Sequence, residues 1–297
     1  MNSKSNKQYN LFSWCFILPW LALFMLFTVI PVIAAFVLSF TDFNLVQIPT
    51  FVGVENYARM LLDDDVFITS FINTLVFAII TGPLGYILSF VIAWFINDVR
   101  GPARSFLIFL FYSPSLAGNS FMIWSYIFSG DSYGLLNSVL MKLSIINEPL
   151  QWLTDARYNK IVCILVILWG SMGAGFLSFV AGLKQLNHSL FEAAAIDGIR
   201  NRWQEVWHIT LPQMLPQLLI GAVLTISGSF SVGAVNATLT GNPSTDYSTH
   251  TLVLHISDHG YTRFEMGYAS AIAVVLFILI ILAWKFTQGL IRAVSRE

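Results

Sequence analysis

The sequence predicts an all-α membrane protein with six transmembrane helices, and two observations carry this. Only 10% of its 297 residues are charged and 56% are hydrophobic, with 25 Phe, 9 Trp and a mean hydropathy of +0.71; a soluble chain carries about 25% charged residues. The apolar residues are gathered into blocks at about 14–40, 71–96, 106–128, 161–183, 215–239 and 268–290, each long enough to cross a ~30 Å hydrocarbon layer as a helix. Long blocks exclude a transmembrane barrel, whose strands are ~10-residue alternating segments. The polar stretches around 41–70, 129–160, 184–211 and 240–266 are too short to bury a soluble core. The chain therefore reads as one transmembrane domain over 1–297.

The first block follows Lys4 and Lys7. It is about twice the length of a signal-peptide apolar region and lacks an Ala-x-Ala site, so it reads as a retained anchor. Pro19 and Pro31 inside it predict a kinked or broken helix. The segment between the second and third blocks carries Arg100 and Arg104, the segment after the fourth carries Lys184, Arg200 and Arg202, and the sixth block ends near Lys285, Arg292 and Arg296. With both termini in the cytoplasm, ten of the fifteen Lys and Arg fall inside, and eleven of the sixteen Asp and Glu fall outside. The excess of Lys and Arg sets this orientation.

Within the blocks the ionisable group is Lys285, which can snorkel to the inner interface. Ion- and proton-coupled carriers place such groups at mid-membrane, so the uncharged interior argues against a self-contained secondary carrier. An intramembrane serine protease is the more remote alternative. Gly228-Ser229-Phe230-Ser231 superficially offers a nucleophile, yet no block contains a His to act as base. The chain also lacks a G-x-x-x-x-G-K-[ST] phosphate loop. Energy for uphill transport must then arrive from another polypeptide.

The inner stretch 184–212 is the place where it could enter. Ser189 and Glu192 stand in the S-x-x-E relation of a capping box, helix formers follow, and Gly198 falls where a helix stops. Asn201 with Gln204 three residues on predicts a second cap, and Trp203, Val206 and Trp207 share one helical face. The expectation is a helix, a turn and an amphipathic helix along the inner membrane surface until Leu211 and Pro212 redirect the chain.

The run Glu192-Ala193-Ala194, Asp197-Gly198 and Ile209-Thr210-Leu211-Pro212 resembles the EAA signature of ATP-binding-cassette (ABC) importer permeases. Further matching stretches are LFSWCFILPW, VIPVIAAFVLSFTDFN, FVGVENYARML, NTL at Asn73, YGLLN at Tyr133, Trp152-Leu153, AGL at Ala181 and GYASA at Gly267. Together they are similar to the maltose-permease-like or glycerol-phosphate-permease-like first membrane subunit of binding-protein-dependent sugar importers, over about 11–292. Two departures stand out. Ten residues separate Gly198 from Ile209 where the family has nine, with Ile199 in place of Ala, and the outer Gly-Gly-Pro turn reads Gly241-Asn242-Pro243. Asn keeps the turn chemistry, because it tolerates a left-handed conformation.

The resemblance implies a type I ABC importer permease fold, non-catalytic, in a bacterial plasma membrane. It implies as partners a second permease subunit, two cytoplasmic ATPase subunits that use ATP and Mg²⁺, an extracellular lipid-anchored solute-binding protein and the surrounding lipid, with no cofactor bound directly and no nucleic acid. Alternating access follows: ATPase closure is transmitted through the EAA loop. Glu192 supplies a charge to the ATPase groove, Ala193 and Ala194 allow close approach, and Asp197-Gly198 makes the sharp turn. The family's carbohydrate contacts align with Trp169, Gly170, Ser171 and Met172 and with Thr225, Gly228 and Ser229. The latter belong to a strip with Gly221, Val232, Gly233 and Asn236, which reads equally as a packing seam between helices. Oligosaccharide, monosaccharide and glycerol-phosphate solutes all remain open.

Three features read plainly. His250, His255 and His259 read as solvated outer-loop residues and not a metal site. Asp63 to Asp65 reads as a solvated loop tip without calcium-loop spacing. Cys15 and Cys163 read as reduced packing residues.

Overall fold

The structure, a computed structural model, describes residues 16–118 and 120–294. Lys4, Lys7, Trp14, Cys15, Arg296 and Glu297 lie outside the described residues, as does the side chain of Arg292. Among the described residues the chain is helical, with one isolated β-bridge between Thr41 and Phe51. It divides into two compact units, Met1–Asp64 with Ile256–Val275, and Asp65–His255 with Leu276–Glu297.

In the first unit, α1 (Phe16–Leu38) contains a π-helical stretch at Met25–Val29. Pro31 lacks an N–H and crowds the carbonyl four residues back. The ladder widens just ahead of it, with Ile30 N donating to the Met25 carbonyl. After the bridge comes α2 (Glu55–Leu62), anchored by Asn56 Nδ2, which donates to the Ser39 and Thr41 carbonyls at 2.9 Å each. Gly267 N donates to the Phe43 carbonyl at 2.9 Å, and a Cβ at 267 would collide with the Thr41 carbonyl. The FVGVENYARML and GYASA stretches thus meet on one backbone turn.

The same unit corrects two expectations. Asp64 is no solvated tip: Tyr268 donates its hydroxyl to Asp64 Oδ2 at 2.6 Å. His259 is 1% exposed, with Nδ1 2.7 Å from Glu265 Oε2 and its ring 4.7 Å from that of Tyr268. Arg59 reaches the same Glu265 oxygen at 3.1 Å and stacks over Tyr268. Partial burial pushes the Glu265 carboxyl up, but the hydrogen bonds from His259 and Arg59 outweigh it and hold the group below the ordinary glutamate value.

The second unit begins with α3 (Asp65–Asn97), six residues ahead of the expected start. Asp65 suits the positive end of the helix dipole, and Thr69, Ser70, Thr74 and Thr81 fold their hydroxyls back to carbonyls four residues earlier. Polar residues near the start are therefore satisfied within the helix.

The third, fourth and fifth blocks are interrupted. The third splits into α4 (Pro102–Leu116) and α5 (Met122–Ile127), separated at 117–121. Then come α6 (Leu135–Lys142), α7 (Asn159–Gly170) and α8 (Ala174–Lys184), the last two parted at Ser171–Gly173. Among the described residues five stretches, counting 159–184 and 215–240 across their breaks, are long and apolar enough to cross a membrane, and the third block has no such continuous helix. Apolar composition reports which solvent a segment prefers, and it is blind to breaks in the backbone ladder.

The hairpin is α9 (His188–Ile196) and α10, which runs through Arg202–Glu205, a π-helical stretch Val206–Thr210 and Leu211–Gln213. The cap of α9 is Asn187, whose side chain accepts from Ser189 N at 3.1 Å; the capping-box expectation is off by two residues because Asx has the stronger capping geometry here. The chain turns at Met214 and not at Pro212, whose crowding the π stretch absorbs. Next are α11 (Leu215–Phe230), α12 (Ala234–Thr240), α13 (Leu252–Ser257, with a π-helical continuation Asp258–Thr262) and α14 (Met266–Val294).

Helices α3, α8 and α11 pack around Ala93, Phe176, Phe179, Met214 and Leu218. A Cβ at Gly221 would stand 2.5 Å from the Phe179 ring, so this end of the strip is a packing seam. A second core gathers Phe77, Phe128, Val162, Val166, Leu239 and the fully buried Cys163. Beside it, Asn137 joins the Ser129, Asp131 and Leu150 carbonyls and accepts from Trp152 Nε1 at 2.8 Å, so the YGLLN and Trp152-Leu153 stretches form one polar knot. His250 and His255 are each 2% exposed, their rings 5.7 Å apart, which corrects the solvated reading. Long-range packing, invisible in a polar stretch of sequence, buries them.

Candidate functional site

The three interruptions converge. Pro114, Ser115 and Ser120 from the first break, Trp169 to Ser171 with Gly173 from the second, and Gly228, Ser229 and Ser231 to Val235 from the third line one cavity of about 460 Å³, with Thr81 of α3 on a further side. Irregular backbone at membrane depth is tolerated only where protein covers it or where it lines a watery cavity. Helix α7 is 12 residues and α8 is 11, each too short to cross alone. Their junction, and with it this side of the cavity, falls near the middle of the 26-residue apolar stretch Asn159–Lys184.

Among the described residues the lining carries no ionisable side chain and is rich in hydroxyls. Several donate to carbonyls of their own helices: Ser115 to Tyr112, Ser120 to Pro114, Ser171 to Leu168, Ser229 to Ile226 and Ser231 to Ser227, at 2.7–2.9 Å. With the proton engaged, each oxygen keeps its capacity to accept. Trp169 is held edge-on by Trp124, with ring centroids 5.4 Å apart.

Of the expected contacts, Trp169, Gly170, Ser171, Thr225, Gly228 and Ser229 stand on this lining. Met172 does not. It packs with Phe176 and Phe179 in the core, because four consecutive residues cannot share one helical face. A Cβ at Gly170 or Gly228 meets nothing within 4 Å, whereas Ser229 sits against Gly82 of α3, whose added Cβ would come within 3.1 Å of its hydroxyl. The α4–α5 break was missed in the sequence, although Pro114 and Gly118 punctuate it.

At the hairpin, Gly198 has φ +96° and Ile199 N donates to the Ala194 carbonyl at 3.0 Å, a Schellman-type stop. Asn201 Oδ1 accepts from Gln204 N at 2.8 Å while Gln204 Oε1 accepts from Arg200 N at 3.0 Å. Arg202 anchors the turn to Asp98 at 2.7 Å, and Asn187 N donates to Gln213 at 3.3 Å. Glu192, Ala193, Asp197 and Gly198 are exposed, Ala194 is half-buried, and Leu190 and Ile196 project into solvent at 45% and 87%. An ordered helix with exposed apolar residues and a carboxylate beside them has the composition of a docking element.

Comparison with known proteins agrees with this architecture. Residues 83–295 match the family described as "Binding-protein-dependent transport system inner membrane component". The chain is 31% identical over 284 residues to the probable ABC transporter permease protein YesP of Bacillus subtilis, covering 94% of this chain and 89% of that one. It is 30% identical over 287 residues to the lactose transport system permease protein LacF of Rhizobium radiobacter, covering 94% and 93%. A solved bacterial alginate ABC transporter, in complex with a periplasmic protein bound to alginate pentasaccharide, shares the fold, with TM-score 0.79 at 19% identity over 99% of both chains. The chain is a multi-pass membrane permease that belongs to the family of binding-protein-dependent transport system inner membrane components.

Proposed function

We propose that this chain forms half of the path by which an ABC importer carries a carbohydrate into a bacterial cell, both termini lying in the cytoplasm of the plasma membrane. A second permease subunit completes the path, two ATPase subunits bind the α9 hairpin and consume ATP and Mg²⁺, and an extracellular solute-binding protein delivers the solute. The chain itself performs no covalent chemistry. The single observation that carries the reading is the hydroxyl-lined, uncharged cavity at the meeting of three interrupted helices. LacF, a lactose permease by name, supports the carbohydrate class.

The cavity narrows that class. A sugar hydroxyl can donate to the serine oxygens left as acceptors, and a pyranose C–H face can lie on Trp169. A phosphate ester carries negative charge and is best held by cationic partners, and among the described residues this lining has no Lys, Arg or His. The expected solute is therefore an uncharged mono- or oligosaccharide and not a glycerol phosphate. In vesicles holding the whole complex, neutral sugars should compete for uptake of the labelled solute while glycerol 3-phosphate at equal concentration does not. Competition by glycerol 3-phosphate with none from any neutral sugar contradicts this.

A further inference from the structure

The break between α11 and α12 exposes backbone groups that a continuous helix would pair, and one of them has an unusual partner. Thr251, 1% exposed, donates its hydroxyl to the carbonyl of Val232 at 2.7 Å, and Val232 is a lining residue of the cavity. At the next residue, a Cβ on Gly233 would approach the Val253 side chain to 2.8 Å, so the broken backbone lies directly on the segment that carries Thr251.

That segment, 244–252, is tied down at every side within its unit. Asn73 Nδ2 on α3 donates to the Tyr247 and His250 carbonyls at 2.8 and 2.9 Å, and Lys160 Nζ on α7 donates to Asn73 Oδ1 at 2.9 Å. Leu252 N donates to Thr74 Oγ1 at 2.9 Å, and Asn236 Nδ2 on α12 donates to the Thr249 carbonyl at 2.8 Å. Buried polar bonds of this kind are costly to break singly, so the segment is held as one strap. Its other edge, Thr245 and Asp246, is exposed, as are Asn242 and Pro243 just before it.

We propose that Thr251 is a positioning residue for transport, its hydroxyl coupling the strap to the wall of the solute cavity at Val232. A protein pressing on the exposed edge of the strap thereby shifts the α11–α12 break and with it the cavity. The proposal rests on the cavity being the solute path. A bond that only filled an unpaired carbonyl would change stability alone; a bond in the path of a moving wall changes turnover.

The test uses the whole complex in vesicles with its solute-binding protein, comparing Thr251→Val, Thr251→Ser and Gly228→Phe for maximal uptake rate, half-saturating solute concentration and recovery of assembled complex. Thr251→Val should lower the maximal rate about tenfold, the equivalent of ~1.4 kcal/mol, with assembly retained, and Thr251→Ser should restore it to within about twofold. Wild-type turnover in Thr251→Val, with Gly228→Phe blocked, overturns the coupling and leaves the cavity reading intact. A defect in Thr251→Ser equal to that in Thr251→Val, or a loss of assembled complex that accounts for the lost uptake, shows scaffolding alone and overturns it. Normal transport by Gly228→Phe removes the cavity reading and the proposal together.

Discussion

Glu192→Lys is expected to abolish ATP-driven uptake and to release the chain from its ATPase subunits in co-purification. Glu192 is exposed on α9 among Ala193, Leu190 and Ile196, and the side chains described over Ser189–Ile196 are all exposed or half-buried. Removing one partner of a buried charged contact at an interface costs ~2–5 kcal/mol, and reversal adds repulsion. Either term exceeds the ~1.4 kcal/mol that makes a tenfold change in affinity. The helix itself should persist, since its stability rests on Asn187 at one end and Gly198 at the other, and Lys is as good a helix former as Glu. Loss of uptake with α9 intact therefore reports docking. Wild-type uptake together with intact ATPase association would remove Glu192 from the coupling role.

Gly228→Phe is expected to block uptake by at least about tenfold while leaving assembly unchanged. The reasoning is steric: a Cβ built at Gly228 meets nothing within 4 Å and Gly228 lines the cavity, so a ring there fills volume in the proposed solute path. Replacing a helical glycine by Phe also costs the helix nothing in propensity, since Gly is the poorer helix former by roughly a few tenths of a kcal/mol. Ser229 is a less clean position for the same experiment. It packs on Gly82, and a bulky residue there would push α3 and α11 apart, at ~1–3 kcal/mol of overpacking. Uptake at the wild-type rate in Gly228→Phe would show that the solute travels elsewhere.

The helical membrane architecture was legible because it rests on apolar block length, a property of local sequence. The interruptions were not, although their signals were present: Pro114 and Gly118, Gly170 with Gly173, and Gly228 with Gly233. Small and polar residues in an apolar block read equally as a seam, a cavity lining or a break, and the structure contains all three. Gly221 is a seam against Phe179, Ser171 lines the cavity, and Gly233 sits at a break against Val253. The stop at Gly198 and the cap at Asn201 were readable from spacing, whereas the Asn187 cap was masked by a better-spaced Ser189 and Glu192. His250, His255 and His259 misled because burial of a polar residue depends on partners distant in sequence, such as Glu265 bonded to both His259 and Arg59.

The most direct measurement of the central claim is solute uptake into vesicles by the purified chain, first alone and then joined by the second permease subunit, the ATPase subunits, the solute-binding protein and ATP. An uncharged cavity and an exposed inner hairpin proposed to dock the ATPase predict no uphill uptake by the chain alone and ATP-dependent accumulation by the complex. Accumulation by the isolated chain, driven by an ion gradient and without any ATPase, would contradict the account.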